Sequence, residues 1–272
     1  MDPKLQALEV ELLIETAKRR YGFDFSQYSR ASLERRLANL RDQLGLGSVS
    51  EMIPMLLHQP KFIDRFVNGI SVNVTEPFRD PQCFKALLES VFPTLETYPY
   101  FKVWHAGCAS GEEVYSTAIL LHEAGLLERA QIYATDINTR SLATAREAVY
   151  SEEALAKAEK HYLAAGGQAQ LSDYYVNQYG AGRFSDKLRQ SVVFSQHNLV
   201  TDSPFGEMVL VICRNVLIYF ERALQNRVVE LFHASLGHRG FLMLGSKESL
   251  TYLPAGSAFE QLDRDARIYR AL

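Results

Sequence analysis

From Phe101 onward, short apolar runs alternate with amphipathic stretches. FKVWHA, QIYATDI, and the starts of SVVFSQHNL and GEMVLVICRNVLIYF read as strands, while EEVYSTAILLHEAG, NTRSLATAREAVY and ERALQNRVVELFHASL read as helices between them. Such alternation predicts a doubly wound α/β fold, a mainly parallel sheet with helices on both faces. The last two strands, GFLMLGSKES and DARIYRAL, leave too little chain for a helical crossover, so an antiparallel C-terminal hairpin is expected. That ending points away from dinucleotide dehydrogenases.

Residues 1 to about 70 contain no convincing strand. Leu5, Leu8 and Leu12 recur at helical spacing, and that helix ends near Tyr21-Gly22. A second helix starts after Ser29, carries Leu33, Leu37, Leu40 and Leu44 on one stripe, and closes at Gly45 or Gly47. SVSEMIPMLLHQ and PKFIDRFVNG fit further short helices. The expected organisation is an all-α domain over 1–70, a linker over 71–90, and an α/β domain over 91–272. An insert of about 151–191 interrupts the last: an Ala/Glu/Lys-rich helix, then YYVNQYGAG and KLRQSVVF as short antiparallel strands around glycines.

Composition narrows the class. At 272 residues, with 47% hydrophobic and 22% charged positions, the chain is an ordinary globular protein able to bury a core. A net charge of −3 excludes a generally basic nucleic-acid binder. Cys83, Cys108 and Cys213 are far apart and odd in number, which suits reduced thiols in the cytoplasm. The start, MDPKLQALEVELL, lacks the charged leader of a signal peptide, and no apolar run reaches membrane-span length. The scattered histidines have no ligand spacing, so no metal is expected. Charge is uneven, however. Between residues 16 and 41, seven basic residues face two acidic ones, an excess of +5 that suits an acidic partner. Arg30, Arg35, Arg36 and Arg41 are the candidates, although a helical wheel scatters them around the leucine stripe.

The candidate chemistry gathers at strand ends. VWHAGCASGEEVYS, Val103 to Ser116, is a strand that breaks at Gly107 and Gly111 and enters a helix with Glu112 and Glu113. Its glycines do not follow the dinucleotide frame, and no P-loop lysine follows. Carboxylates at that helix start argue for a ligand with cationic or hydroxyl groups. In a doubly wound sheet, ligands bind beyond the carboxyl ends of the strands. Those ends supply Asp136, placed for ribose hydroxyls, then Asn198 and Leu199, then Arg214 and Asn215, with Tyr219 just beyond. Asp136 could serve as a helix cap and Asn198 as a turn residue, but Arg214 after VLVIC is a buried cation in need of a partner. In the linker, Asn73, Thr75 and Arg79 stand in an apolar setting; caps and turns would account for the first two.

Five motifs, SVNVTEPFR, VWHAGCASGEEVYS, ATDIN, HNL and CRNVLIYF, together resemble the CheR family of S-adenosylmethionine-dependent methyltransferases, which esterify glutamates on bacterial chemoreceptors. The resemblance covers nearly the whole chain and implies a Rossmann-like methyltransferase sheet. It implies that Asn73, Thr75, Arg79, Gly107, Glu113, Asp136, Asn198, Leu199, Arg214 and Asn215 bind S-adenosylmethionine. It also places Arg79 and Tyr219 beside the transferred methyl group. The basic helical domain would dock the receptor's methylation helices, with no nucleic acid and no membrane insertion. Pro77-Phe78, Val114 and the Gly245-Ser246-Lys247-Glu248 stretch depart from the family pattern. The insert's glycine loop looks shorter than in members that bind a receptor C-terminal pentapeptide, so no dependence on that tether is expected.

The expected activity is that of a protein-glutamate O-methyltransferase in which a glutamate carboxylate displaces S-adenosylhomocysteine. A carboxylate is already ionised at neutral pH, so no general base is required and His105 and His197 have no necessary proton to move. The rivals are a methyltransferase with another protein, a nitrogen or a nucleic-acid acceptor and a non-catalytic nucleoside-binding docking module.

Overall fold

The structure, a computed structural model, describes residues 3–73 and 75–272; Val74, inside the linker motif, lies outside the described residues. Helices α1 (Pro3–Tyr21), α2 (Arg30–Leu44), α3 (Met52–His58) and α4 (Phe62–Ile70) pack around a core of their own that includes Leu13, Phe25, Leu37 and Phe66. The stripe on α2 faces this core, and Gly45 closes the helix in the left-handed region at φ 69°. On α1 the outcome differs from the leucine pattern. Leu5, Leu8 and Leu12 are about half exposed, at 50%, 50% and 51%, whereas Val10, Leu13 and Ala17 are buried. Both stripes have helical spacing, so periodicity alone cannot choose between them.

Two short helices, α5 (Pro81–Ser90) and α6 (Phe92–Leu95), lead into the α/β portion. There the chain runs β1 (Phe101–Ala106), α7 (Glu112–Glu123), β2 (Ala130–Asp136), α8 (Thr139–Glu147) and β3 (Val149–Ser151). It continues through α9 (Glu152–Ala164), β4 (Tyr175–Gln178), β5 (Ala181–Phe184), α10 (Asp186–Gln190) and β6 (Val192–Gln196). The last elements are β7 (Met208–Cys213), α11 (Arg222–Ser235), β8 (Leu236–Leu244), β9 (Phe259–Asp263) and β10 (Ile268–Ala271). The main sheet has seven strands in the order β6-β2-β1-β7-β8-β10-β9, parallel up to β8 and antiparallel beyond it.

Three elements depart from the sequence pattern. The expected antiparallel pairing of the last two predicted strands is found between β8 and β10, but β10 also pairs with β9, whose FEQLD was not legible as a strand because its middle positions are all exposed. In the insert, YVNQ and AGRF form a hairpin, and β3 adds a third strand on the other side of β5. KLRQ is not a strand: it lies in α10, and only the following VVF belongs to a strand, β6 at the edge of the main sheet.

Each face of the sheet carries its own apolar layer. One contains Phe78, Phe84, Tyr115, Ile119 and Tyr162; the other contains Trp104, Leu224, Val228 and Phe232. Trp104 also satisfies its indole N–H, donating to the Thr135 hydroxyl at 2.8 Å. Full burial of one such side chain is worth about 1.5–3 kcal/mol. That surplus lets the same framework hold strained residues and buried charge at one end.

Candidate functional site

Strand order reverses between β1 and β7, and the carboxyl ends of these strands open on a cleft. Every residue expected at the cofactor site lines it: Asn73, Thr75, Arg79, Gly107, Glu113, Asp136, Asn198, Leu199, Arg214 and Asn215, together with Tyr219. The cleft has a second wall that strand-end reasoning missed. Tyr28, Ser32 and Arg36 reach it from the helical domain.

The turn after β1 is shaped by close approach. Gly107 has φ 76°, and a Cβ there would meet Val216 Cγ2 at 2.5 Å. At Gly111, φ 88°, a Cβ would meet Ala145 Cβ at 2.8 Å. Between them, Gly107 and Cys108 donate to Thr135 O at 2.8 and 2.9 Å, and Ala109 N donates to Asp136 Oδ2 at 2.8 Å. The β1 turn is thereby bonded across to the end of β2. Ala109 and Asn215 line the cleft with positive φ, and Phe78 and Asp80, also at positive φ, flank Arg79. Each costs on the order of 1 kcal/mol, and such strain gathers where a site must be held in one shape.

Arg214 answers the question its position raised. Its side chain is fully buried, yet Nη1 reaches Glu113 Oε2 at 2.6 Å and Nη2 reaches Asp80 Oδ2 at 2.7 Å. Nη1 also donates to Arg79 O at 3.1 Å, and the guanidinium lies 5.6 Å from the Phe84 ring centroid. Burial opposes charge on both members of the pair. The Glu113 carboxylate outweighs it and holds the Arg214 pKa above its ordinary value. In turn Arg214, with His105 beside it, holds Glu113 below the usual carboxylate value. Glu113 is therefore ionised at neutral pH. His105 Nδ1 lies 3.8 Å from its other oxygen, behind the cleft wall.

The network extends into the linker. Arg79 is flanked by Asp80, one of the Arg214 partners, and by Phe78, which is buried against Phe84 and Tyr162 and donates its N–H to Ser116 Oγ at 2.9 Å. The Arg79 backbone is thus anchored on both sides. Its guanidinium lines the cleft and has no hydrogen-bond or ion-pair partner among the described residues. The departure at Lys247 is harmless: Lys247 is exposed, while Glu248 turns inward and accepts N–H bonds from Gly245, Asn215 and Ile218. Glu248 thereby braces the Arg214-Asn215 loop.

Asp136 accepts from Ala109 N and, at 2.8 Å, from Asn138 N. Burial raises its pKa despite these bonds. Each oxygen keeps a lone pair for a further donor. Asn138, which the sequence reading passed over, caps α8 through its Oδ1 and donates Nδ2 to Asn68 Oδ1 at 3.1 Å and Asn73 Oδ1 at 3.2 Å. Asn73 also donates to Asn68 at 3.3 Å. This triad ties α4, the linker and the end of β2 together, so Asn73 has a structural task beside its place in the cleft. An Asn opening a helix two residues past a strand-end Asp was the signal available for it.

The helical wall is stitched on by main-chain bonds. Ser29 N donates to Tyr219 O at 2.7 Å, Glu221 N donates to Gln27 O at 2.8 Å, and Tyr28 pairs with Phe220 as an isolated antiparallel bridge. Arg36, one of the basic residues expected to face a partner, turns into the cleft. It donates Nη1 to Ser71 O at 2.8 Å and sits 5.9 Å from the Tyr219 ring centroid. Its buried Nε has no partner among the described residues, and burial lowers its pKa. Arg30 pairs with Glu34 at 2.5 Å and Arg41 with Asp42 at 2.6 Å; Arg35 remains exposed. His197 also lines the cleft, with Nε2 3.3 Å from Ser203 O.

The family model described as "CheR methyltransferase, SAM binding domain" matches residues 73–266, and "CheR methyltransferase, all-alpha domain" matches residues 8–71. The chain is 46% identical to "Putative methyltransferase Cher3" of Pseudomonas putida over 97% of its own length and 96% of that protein's. It is 35% identical to "Chemotaxis protein methyltransferase 2" of Pseudomonas aeruginosa over 83% and 78% of the two chains. It is 30% identical to "Chemotaxis protein methyltransferase" of Borreliella burgdorferi over 89% and 88%.

Proposed function

The chain belongs to the CheR family of S-adenosylmethionine-binding chemotaxis methyltransferases, and from that premise we propose that it esterifies glutamate side chains on the cytoplasmic methylation helices of chemoreceptors. The cleft fits the cofactor by the chemistry of its own residues. Ionised Glu113 suits the cofactor's ammonium group, and Asp136 has lone pairs for ribose hydroxyls. Ile137, Leu199 and Val216 offer apolar contact to a flat base. When bound, S-adenosylmethionine supplies an electrophilic methyl group on a sulfonium.

The chain's own part is positioning. A glutamate carboxylate, with a pKa of about 4.3, is ionised at neutral pH, so no residue need act as a general base. Arg79 holds that carboxylate near the reacting end of the cofactor, and Tyr219 orients it; well-oriented reactants gain large effective molarities. The observation that carries this reading is the Arg79 guanidinium. Alone among the described arginines and carboxylates of the cleft, it has no protein partner.

Docking is assigned to the basic helical domain. Arg35 is exposed, and the surface pairs of Arg30 and Arg41 are worth about 0–1 kcal/mol, little enough to exchange for an acidic receptor helix. The insert hairpin closes with only Tyr179-Gly180 between its strands, which supports independence from a receptor C-terminal pentapeptide. Micromolar binding of such pentapeptides in a calorimetric titration would contradict that part.

Radiolabelled methyl transfer to membranes carrying individual receptors tests the whole proposal. Label released by mild base as methanol is expected. Base-stable label would mean a nitrogen acceptor, and cofactor binding with no transfer to any receptor would favour a docking module.

A further inference from the structure

Tyr28 belongs to the helical domain, which the family comparison describes only as all-alpha. Its ring is fixed from both sides: Phe25 of the helical core meets it edge-on at 5.1 Å, and Phe220 of the sheet domain at 4.9 Å. Its main chain is held by the Tyr28–Phe220 bridge. A tyrosine so clamped cannot swing away without breaking contacts on two domains. Its hydroxyl nevertheless has no hydrogen-bond partner among the described residues, while the residue lines the cleft together with Asp136. Burial, then the nearby charges of Asp136 and Asp24, push its pKa well up, so the phenol remains a proton donor at any physiological pH. The hydroxyl is thus held rigid on the open side of the cleft, free to exchange water for a ligand oxygen.

We propose that Tyr28 is a cofactor-binding residue contributed by the helical domain, its hydroxyl donating to a ribose oxygen that also faces Asp136. The cofactor is then gripped between two domains, with Asp136 accepting from the sugar on the sheet side and Tyr28 donating to it on the helical side. The inference rests on the cofactor assignment above. The same segment bonds to the backbone of Tyr219 through Ser29, so a sugar held by Tyr28 also steadies the residue proposed to orient the methyl acceptor.

The test is calorimetric titration of S-adenosylhomocysteine into wild-type protein, Tyr28→Phe and Tyr21→Phe. Tyr21 serves as control because its hydroxyl bonds Leu56 O within the helical domain, away from the cleft. Tyr28→Phe keeps the ring and both aromatic contacts, so an unchanged melting temperature is expected with affinity weakened about five- to tenfold, the size of one net hydrogen bond. Tyr21→Phe should bind like wild type. Against the 2′-deoxy or the 3′-deoxy analogue the Tyr28→Phe penalty should vanish, because the partner hydroxyl is already gone. Unchanged affinity in Tyr28→Phe, or a penalty that persists against both deoxy analogues, overturns the inference while leaving the cofactor site intact. Wild-type protein that fails to bind S-adenosylhomocysteine overturns the cofactor assignment itself, and this inference with it.

Discussion

On the sheet side of the cleft charged groups answer one another: Arg214 pairs with Glu113 and Asp80, and Asp136 is bonded by the backbone of two loops. On the helical side the Tyr28 hydroxyl lacks a protein partner among the described residues and Arg36 uses only part of its donor set, and in the linker between the two the Arg79 guanidinium is likewise unpaired. The first wall pairs its principal charges before anything binds, although the buried Arg214 Nε and His197 Nδ1 have no partner among the described residues. The second is built from side chains that a ligand must complete. Self-satisfied networks hold shape, whereas unsatisfied groups carry selectivity, since they lose most when the wrong ligand, or none, is present.

The comparison breaks most visibly at Arg214. Arg214→Ala would strand Glu113 and Asp80 without their shared cation; breaking a buried pair costs about 3–5 kcal/mol. A large drop in the unfolding midpoint with loss of cofactor binding is expected, read by denaturant titration. A midpoint close to wild type would show that the pair holds little. Arg79→Ala should do the opposite. No described group depends on its guanidinium, so the protein should keep its melting temperature while turnover falls about 10³-fold, as for loss of a group acting on the reacting centre. Near-normal turnover with a supported receptor would remove Arg79 from the mechanism.

Asn138→Ala addresses the seam between the walls. It removes a helix cap and both donors to Asn68 and Asn73, worth together about 1–2 kcal/mol. Because Asn138 N–H remains bonded to Asp136, cofactor affinity should fall less than stability. Equal loss of both, measured by calorimetry and thermal melting, would mean that the triad shapes the site directly.

The two walls also differ in how much the sequence disclosed. The sheet wall was legible because apolar runs such as VLVIC end abruptly in polar residues, and the doubly wound rule says that those ends converge. Arg214 could even be read as a cation in need of a partner, although not which partner, since Asp80 lies in the linker and its approach depends on how the linker folds over β7. The helical wall was not legible. Arg36 looked like one of several surface arginines on α2, and only the docking of that helix against residues 219–221 turns it inward. The same limit explains the leucines of α1. A stripe shows that a helix exists, but which stripe is buried depends on what packs against it. Strand β9 shows the limit from another side: an edge strand with exposed middle positions has no alternation to read.

The finest test lies within the sheet wall, where two adjacent carboxylates differ. Glu113 has Arg214; Glu112 has only the Ser110 hydroxyl, at 2.8 and 3.0 Å, and burial lifts its pKa to about 7. Its pKa in the folded chain thus exceeds its unfolded value of 4.5. Folding then favours the protonated form, so its contribution is complete below pH 4.5 and is lost as pH rises towards 7. Glu112→Gln keeps a partner for Ser110 without the charge. The variant should melt with wild type at pH 5 and be more stable at pH 8. Partial solvent access and the favourable charge at a helix N-terminus limit the gain to about 1 kcal/mol. Parallel melts across pH 5 to 8 measure it. A constant difference, or a variant less stable at pH 8, would mean that the α7 N-terminus satisfies Glu112 as fully as Arg214 satisfies Glu113, and the sheet wall would then hold no uncompensated charge at this turn.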